Sequence, residues 1–230
     1  MNGDRPNPRD LASPACLARE IDPAYFDPLA VDPEQARDVA RWRKAERLRL
    51  LSDRSALPVA TRKAAAQAVA AHLDAALAER LGGLDGVTIS AWWPIKSELD
   101  LRFWLAGLAA RGARAALPRV ARKDSPLTFR AWTPDTPMVR EVWNIPVPAE
   151  GPDILPDITL SPVVGWDPAG YRLGYGGGYF DRTLAAMSPR PLAIGVGLES
   201  ARIATIYPQP HDVPMQLIVT ETGIHRPETK

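Results

Sequence analysis

The residues best suited to chemistry stand in one run, Gly170-Tyr171-Arg172-Leu173-Gly174-Tyr175-Gly176-Gly177-Gly178-Tyr179-Phe180-Asp181-Arg182. Glycine lacks a Cβ and accepts positive φ, so successive backbone N–H groups in such a segment can converge on one anion. A helix is predicted directly after the run, over 181–187, and would add its positive N-terminal end. Arg172 contributes a planar, permanently charged donor that matches phosphate oxygens. These features describe a phosphate cradle; the competing role is a tight turn. No Lys-[Ser/Thr] follows the glycines, which excludes the P-loop pattern, and the spacing departs from the dinucleotide G-x-G-x-x-G. Asp181 suits a magnesium ion beside phosphates, and equally suits a first helical turn. Mg²⁺ takes one or two carboxylates with phosphates and waters, so a second acid should converge. Asp212, in His211-Asp212-Val213-Pro214, is the candidate, with a turn residue as its alternative role.

The elements that must position this loop follow from hydrophobic periodicity. A helix is predicted over 34–55, and Pro58 can open a second that Gly82-Gly83 ends. Short apolar runs at 87–93, 114–120, 127–132, 158–164, 192–196 and 216–220 read as strands. Ser97-Glu98-Leu99-Asp100 has the form of a capping box and predicts a helix that stops at Gly112. A further helix is expected over 201–206. Alternating strands and helices imply an α/β fold with a mostly parallel sheet covered on both faces, its ligands at the carboxyl ends of the strands. Pro6, Pro8, Pro14, Pro23, Pro28 and Pro33 set residues 1–33 apart as an arm or tail. The domain then spans 34–225, followed by a short tail over 226–230.

Bulk properties narrow the class. The chain has 230 residues, 46% of them hydrophobic, a net charge of +1 and a single cysteine, Cys16. Near-zero charge supplies no field for nucleic acid. No run of about 18 apolar residues could span a membrane, and no secretory h-region follows the N-terminus. One cysteine per chain fits a reducing cytoplasm. Oligomeric state is not readable.

The segment Asp167-Pro168-Ala169-Gly170 through Gly178-Tyr179-Phe180-Asp181 resembles the signature of the 5-formyltetrahydrofolate cyclo-ligase family. Shorter matches follow the family's order: Trp93 to Glu98, Leu117-Pro118-Arg119, Trp143-Asn144-Ile145-Pro146 and His211-Asp212-Val213-Pro214, together covering about residues 41–222. The resemblance implies a three-layer Rossmann-like fold. It also implies an ATP- and Mg²⁺-dependent ring closure of 5-formyltetrahydrofolate to 5,10-methenyltetrahydrofolate, with ADP and phosphate released. By position it places Arg172, Leu173, Gly174, Tyr175, Gly176, Gly177, Gly178, Tyr179 and Phe180 on ATP, with Arg172 and Tyr179 as the catalytic contacts. Asp181 and Asp212 would hold Mg²⁺, and Trp93, Glu98 and Trp143 the folate. The family's nucleotide-reaching Lys-x-x-x-Arg pair matches Arg43 and Arg47, one face of the first helix, although Lys44 leaves the register open.

Two departures bear on the substrate. Val163 follows Pro162 where members usually have glycine, and Trp166 precedes Asp167 where they usually have phenylalanine. Trp92-Trp93-Pro94-Ile95-Lys96 is also bulky. A non-catalytic folate- or nucleotide-binding paralogue, or an ATP-dependent enzyme acting on another small carboxamide, therefore stand as alternatives.

Overall fold

The structure, a computed structural model, describes residues 33–227. The arm expected before Pro33 and the last three residues of the tail lie outside the described residues. The chain divides into two compact units, Met1–Ala40 and Arg41–Lys230, with the boundary inside the first helix. Of the first unit only residues 33–40 are described, and they are helical. The second unit holds the sheet and every candidate site residue.

Helix α1 spans Pro33–Ala56 and α2 spans Val59–Leu81. On α1, Arg49 pairs with Glu46 one turn before it and Asp53 one turn after it, the spacing at which helical side chains meet. Pro58 sits at the start of α2 with φ −56°, and Gly82 ends it in the left-handed conformation, φ 69°, donating its N–H to the Ala78 carbonyl. Along α2, Ala65, Val69, Leu73, Ala76 and Leu77 form one buried stripe. That helix lies against the strands β11 (Leu217–Thr220) and β12 (Gly223–His225).

The main sheet has eight strands. Its centre is parallel, in the order β11, β10 (Leu192–Val196), β7 (Ile158–Pro162), β1 (Thr88–Ser90) and β2 (Arg114–Arg119). Antiparallel β12 closes one edge, and antiparallel β3 (Thr128–Ala131) and β6 (Asp153–Ile154) close the other. All three residues of β1, all four of β11 and four of the five in β7 and β10 are buried. Neighbouring residues on a strand face opposite ways, so both faces of the sheet are covered. This is the expected α/β architecture. Two small hairpins stand apart, β4 (Met138–Arg140) with β5 (Pro146–Pro148), and β8 (Gly165–Trp166) with β9 (Arg172–Leu173).

Three local readings are corrected. The capping box at Ser97 does not form: its acid, Asp100, accepts the Arg102 N–H, and Glu98 turns back to accept the Ile95 N–H at 2.9 Å. The helix there shrinks to α3, Arg102–Ala106, introduced by an Asp100 carboxylate that accepts the Arg102 N–H. The helix expected over 201–206 is only a 3-10 turn, Glu199–Ala201. Beyond it the Ile203 amide donates to the Trp166 carbonyl and the Ile206 amide to the Asp167 carboxylate, which holds the segment extended beside β8. The β8–β9 hairpin itself was not expected. Buried Asp167 organises it by accepting the amides of Ala169 and Tyr171 as well as that of Ile206.

Candidate functional site

Parallel strands end on the same side, so the residues following β1, β7 and β10 meet there. Trp92 and Glu98 follow β1, Val163 follows β7 and Gly197 follows β10; with Leu50 and Arg54 of α1 they line one cavity. Its free volume is about 20 Å³, room for a single water. A larger cavity, about 240 Å³, lies at the opposite end of the strands beside Gly86 and Gly112, lined chiefly by alanine, leucine and tryptophan. Arg114 is the one ionisable side chain in its lining, whereas the smaller cavity is lined by Glu98, Asp53 and Arg54.

The two departures in sequence are absorbed by packing. A Cβ on Gly197 would lie 2.3 Å from a Val163 methyl, so the glycine leaves the space that valine fills. The Trp166 indole is buried and donates its N–H to the Leu198 carbonyl at 3.0 Å.

Glu98 is the buried acid of this cavity, whose lining also includes the exposed Asp53. Burial pushes its pKa up to about 7, against the opposing pull of the Ile95 amide, Arg54, Tyr175 and Lys96. The folded carboxyl thus holds its proton where the unfolded one, at 4.5, has lost it. Its contribution to stability is full below about pH 4.5 and is lost as pH rises through about 7. Glu98→Gln, uncharged throughout, is expected to flatten that fall. Melting temperatures from about pH 5 to 8 check it, and parallel curves for the two proteins would reject it.

Immediately beside the cavity runs the glycine loop. Among the described residues, the amides of Tyr175, Gly176, Gly177 and Gly178 make no hydrogen bond. Gly176 has φ 98° and Gly178 φ 63°, conformations that side chains with a Cβ rarely adopt. Helix α4, Tyr179–Ala186, starts directly after them and adds the free amides of its first turn. Arg47 of α1 donates from Nε to the Gly174 carbonyl at 2.6 Å, and its guanidinium lies beside Gly176. Arg182 reaches back to the Gly177 carbonyl and covers the Tyr179 ring. Loop amides, helix terminus and two arginines therefore meet on one exposed segment, a donor set suited to phosphate.

Arg172 sits on β9, buried, and not in the loop. Its Nη1 donates to the Val213 carbonyl at 3.1 Å and lies 3.2 Å from Asp181 Oδ1. Burial pulls its pKa down, and Asp181 and Asp212 hold it up. Leu173, expected at the phosphates, has its side chain in the core, 1% exposed, and its carbonyl accepts the Val164 amide. Phe180 lies under the Arg172 guanidinium.

The two acids expected to hold magnesium flank Arg172 differently. Asp181 accepts both Arg172 and the Val213 amide on Oδ1, and Oδ2 receives neither bond. Asp212 is engaged through both oxygens by Arg43, at 3.2 and 2.5 Å, and also accepts the Gln209 amide. Arg43 further donates to the carbonyls of Ile206 and Tyr207. It faces Asp212 where a phosphate contact was expected, while Arg47 lies against the glycine loop. Among the described residues no three metal-ligating side chains converge. One carboxylate oxygen beside a phosphate loop does fit Mg²⁺, which binds mostly through phosphates and water.

The residues expected on the substrate are spread out. Trp93 is half-buried, edge-on to Trp132 at 6.4 Å and covered by Arg102; its neighbour Trp92 lines the cavity. Trp143 is 64% exposed, next to the β5 end of its hairpin, and meets the Tyr179 ring edge-on at 5.4 Å. It therefore overhangs the loop. Arg54 and Lys96 were missed, yet both converge on Tyr175. Arg54 lies seven residues after Arg47, two helical turns along the same face, and that spacing was the available signal.

A mostly parallel α/β sheet, with a glycine loop and a buried carboxylate near its strand ends, is the architecture of an α/β enzyme. The model of the 5-formyltetrahydrofolate cyclo-ligase family matches residues 39–221, and the chain belongs to that family, whose members are ligases that form C–N bonds. It is 32% identical over 186 residues to a 5-formyltetrahydrofolate cyclo-ligase of Mycolicibacterium smegmatis, covering 76% of this chain and 91% of that one. Among solved structures, a 5,10-methenyltetrahydrofolate synthetase of Aquifex aeolicus superposes with a TM-score of 0.68 at 25% identity, over 82% of this chain and 94% of the other. One from Mycoplasma pneumoniae gives 0.63 at 26% identity, over 78% and 98%. No helix among the described residues is long and apolar enough to cross a membrane.

Proposed function

We propose that this chain closes 5-formyltetrahydrofolate to 5,10-methenyltetrahydrofolate, with ATP converted to ADP and phosphate. The observation that carries the reading is the juxtaposition of an amide-lined phosphate loop with the Glu98 cavity, in a chain of this family. A formamide oxygen is a poor leaving group, so N10 cannot displace it unaided. Transfer of the γ-phosphoryl group to that oxygen gives an imidate-like phosphate; N10 then attacks the carbon and phosphate departs. Such a sequence needs alignment and charge neutralisation more than a protein nucleophile.

The loop amides from Gly174 to Gly178, with Arg47 and Arg182, bind and orient the phosphates. Arg172 neutralises charge from beneath the loop, and Tyr179 presents its hydroxyl at the head of α4. Ionised Glu98 accepts N–H donors of the pterin, Trp93 contributes an apolar wall, and Trp143 covers the open side. Mg²⁺, when bound, supplies charge neutralisation among the phosphates; Asp181 would hold it through Oδ2, and Asp212 joins by releasing Arg43. A pterin is far larger than the present cavity, so the pocket widens when it enters. The lone cysteine and the family's small-molecule chemistry support a cytoplasmic location.

The test is the growth of methenyltetrahydrofolate absorbance from 5-formyltetrahydrofolate, dependent on both ATP and Mg²⁺. Tight folate binding by calorimetry without ADP release would instead support a binding paralogue. Phosphate release only with other carboxamides would support a different ligase. Asp181→Asn is expected to raise the Mg²⁺ concentration for half-maximal rate at least about tenfold, by removing the oxygen that faces the phosphates. An unchanged Mg²⁺ titration would exclude Asp181 as a ligand.

A further inference from the structure

Arg54 stands outside every role assigned so far, although it is among the few charged residues that are buried, at 8% exposure. Its Nη2 donates to the Tyr175 hydroxyl at 2.6 Å. Arg54 and Tyr175 both act on the Glu98 carboxyl, each favouring its ionised form. Burial, and then Glu98, push the Tyr175 pKa up to about 12, so the hydroxyl keeps its proton and can donate. Lys96 adds its ammonium 5.2 Å from the Tyr175 ring centre, and adopts φ 52° there, a conformation unusual for lysine. Three separate chain segments thus meet at one tyrosine: α1, the loop after β1, and the glycine loop. Arg54 Nε and Trp92 Nε1 are buried donors without a partner among the described residues, and both residues line the Glu98 cavity. Unpaired buried donors are costly, and an acceptor on an entering heterocycle would remove that cost.

Resting on the reading of Glu98 as the pterin-binding carboxylate, we propose that Arg54 is a positioning residue. It ties Tyr175 of the glycine loop to Glu98 of the substrate pocket, so that one guanidinium sets the register between phosphates and heterocycle. The groups facing Glu98 are Arg54 and, farther out, Asp53 from α1, Lys96 from its own loop and Tyr175 from the glycine loop; the ends of β7 and β10 bring no titratable side chain to the cavity.

The experiment has two arms. In the full-length protein without ligand, the Glu98 side-chain carboxyl is followed by carbon NMR against pH in wild type, Arg54→Met and Tyr175→Phe. Removing the cation should move the Glu98 midpoint up by about one pH unit, and removing only the hydroxyl by less. In the second arm, Arg54→Met should raise KM for 5-formyltetrahydrofolate about tenfold and move the acid limb of kcat/KM upward with the NMR midpoint, with Arg54→Lys restoring the limb. Tyr175 is partly exposed, so Tyr175→Phe keeps the test open even if Arg54→Met folds poorly. Unmoved Glu98 midpoints in the folded variants overturn the proposal. A wild type that makes no methenyltetrahydrofolate overturns the functional reading, while the ligand-free titration still decides the coupling.

Discussion

Replacing Arg172 by methionine is expected to lower kcat/KM about a thousand-fold, the scale on which arginines that neutralise transferring phosphoryl groups act. The same change should destabilise the fold. Arg172 has a side chain 3% exposed and Asp181 one 19% exposed, so the substitution strands a mostly buried carboxylate. Stranding a fully buried partner costs about 3–5 kcal/mol, and the partial exposure of Asp181 brings the expectation to about 2–3. Arg172→Met combined with Asp181→Asn should recover much of that stability without recovering turnover. Arg172→Lys keeps the charge but loses the forked donor set, and should fall between. Thermal unfolding and steady-state kinetics on the four proteins check this. Turnover within about tenfold of wild type for Arg172→Met would show that the arginine serves only the fold.

Gly176→Ala carries the second large effect, and here activity and stability should separate. At φ 98° an added methyl would sit 3.5 Å from the Arg47 guanidinium carbon, an ordinary contact. The cost is therefore backbone strain, about 1–2 kcal/mol. The exposed loop can relieve that strain by moving, which takes its amides off the phosphates. The expected result is a small fall in melting temperature with about a hundred-fold loss in kcat/KM for ATP. Gly82→Ala is the matched control. It places alanine at φ 69° at the end of α2, where a Cβ meets nothing within 4 Å. It should cost similar stability and leave turnover untouched. Equal loss of activity in both variants would mean that the glycine loop is only a turn.

Most of the architecture was legible in residue patterns. The six expected strands form at the expected places, most of them shortened at their ends, because most are buried apolar runs bounded by turn residues; β3, with one buried residue, is held by pairing with β2 and β6. α2 begins after Pro58 and ends at Gly82 for reasons contained in those two residues. The errors have a common cause. Ser97-Glu98-Leu99-Asp100 reads as a capping box, but Asp100 accepts the Arg102 amide and buried Glu98 accepts that of Ile95. Residues 201–206 have helical composition, but Asp167 and the Trp166 carbonyl take their amides. Local propensities amount to tenths of a kcal/mol per residue, and one well-placed long-range hydrogen bond outweighs them.

The chain's own order of residues determined a mostly parallel α/β sheet and a glycine-rich loop near its strand ends. Backbone freedom at Gly176 and Gly178 and apolar periodicity in the strands act over a few neighbouring residues. Only the folded chain decided which charges meet. Arg43 finds Asp212 across 169 positions, and Arg54 finds Tyr175 across 121. Those pairings arise because parallel strands deliver distant loops to one end of the sheet, and no local rule can specify which of several arginines on a helix will face them.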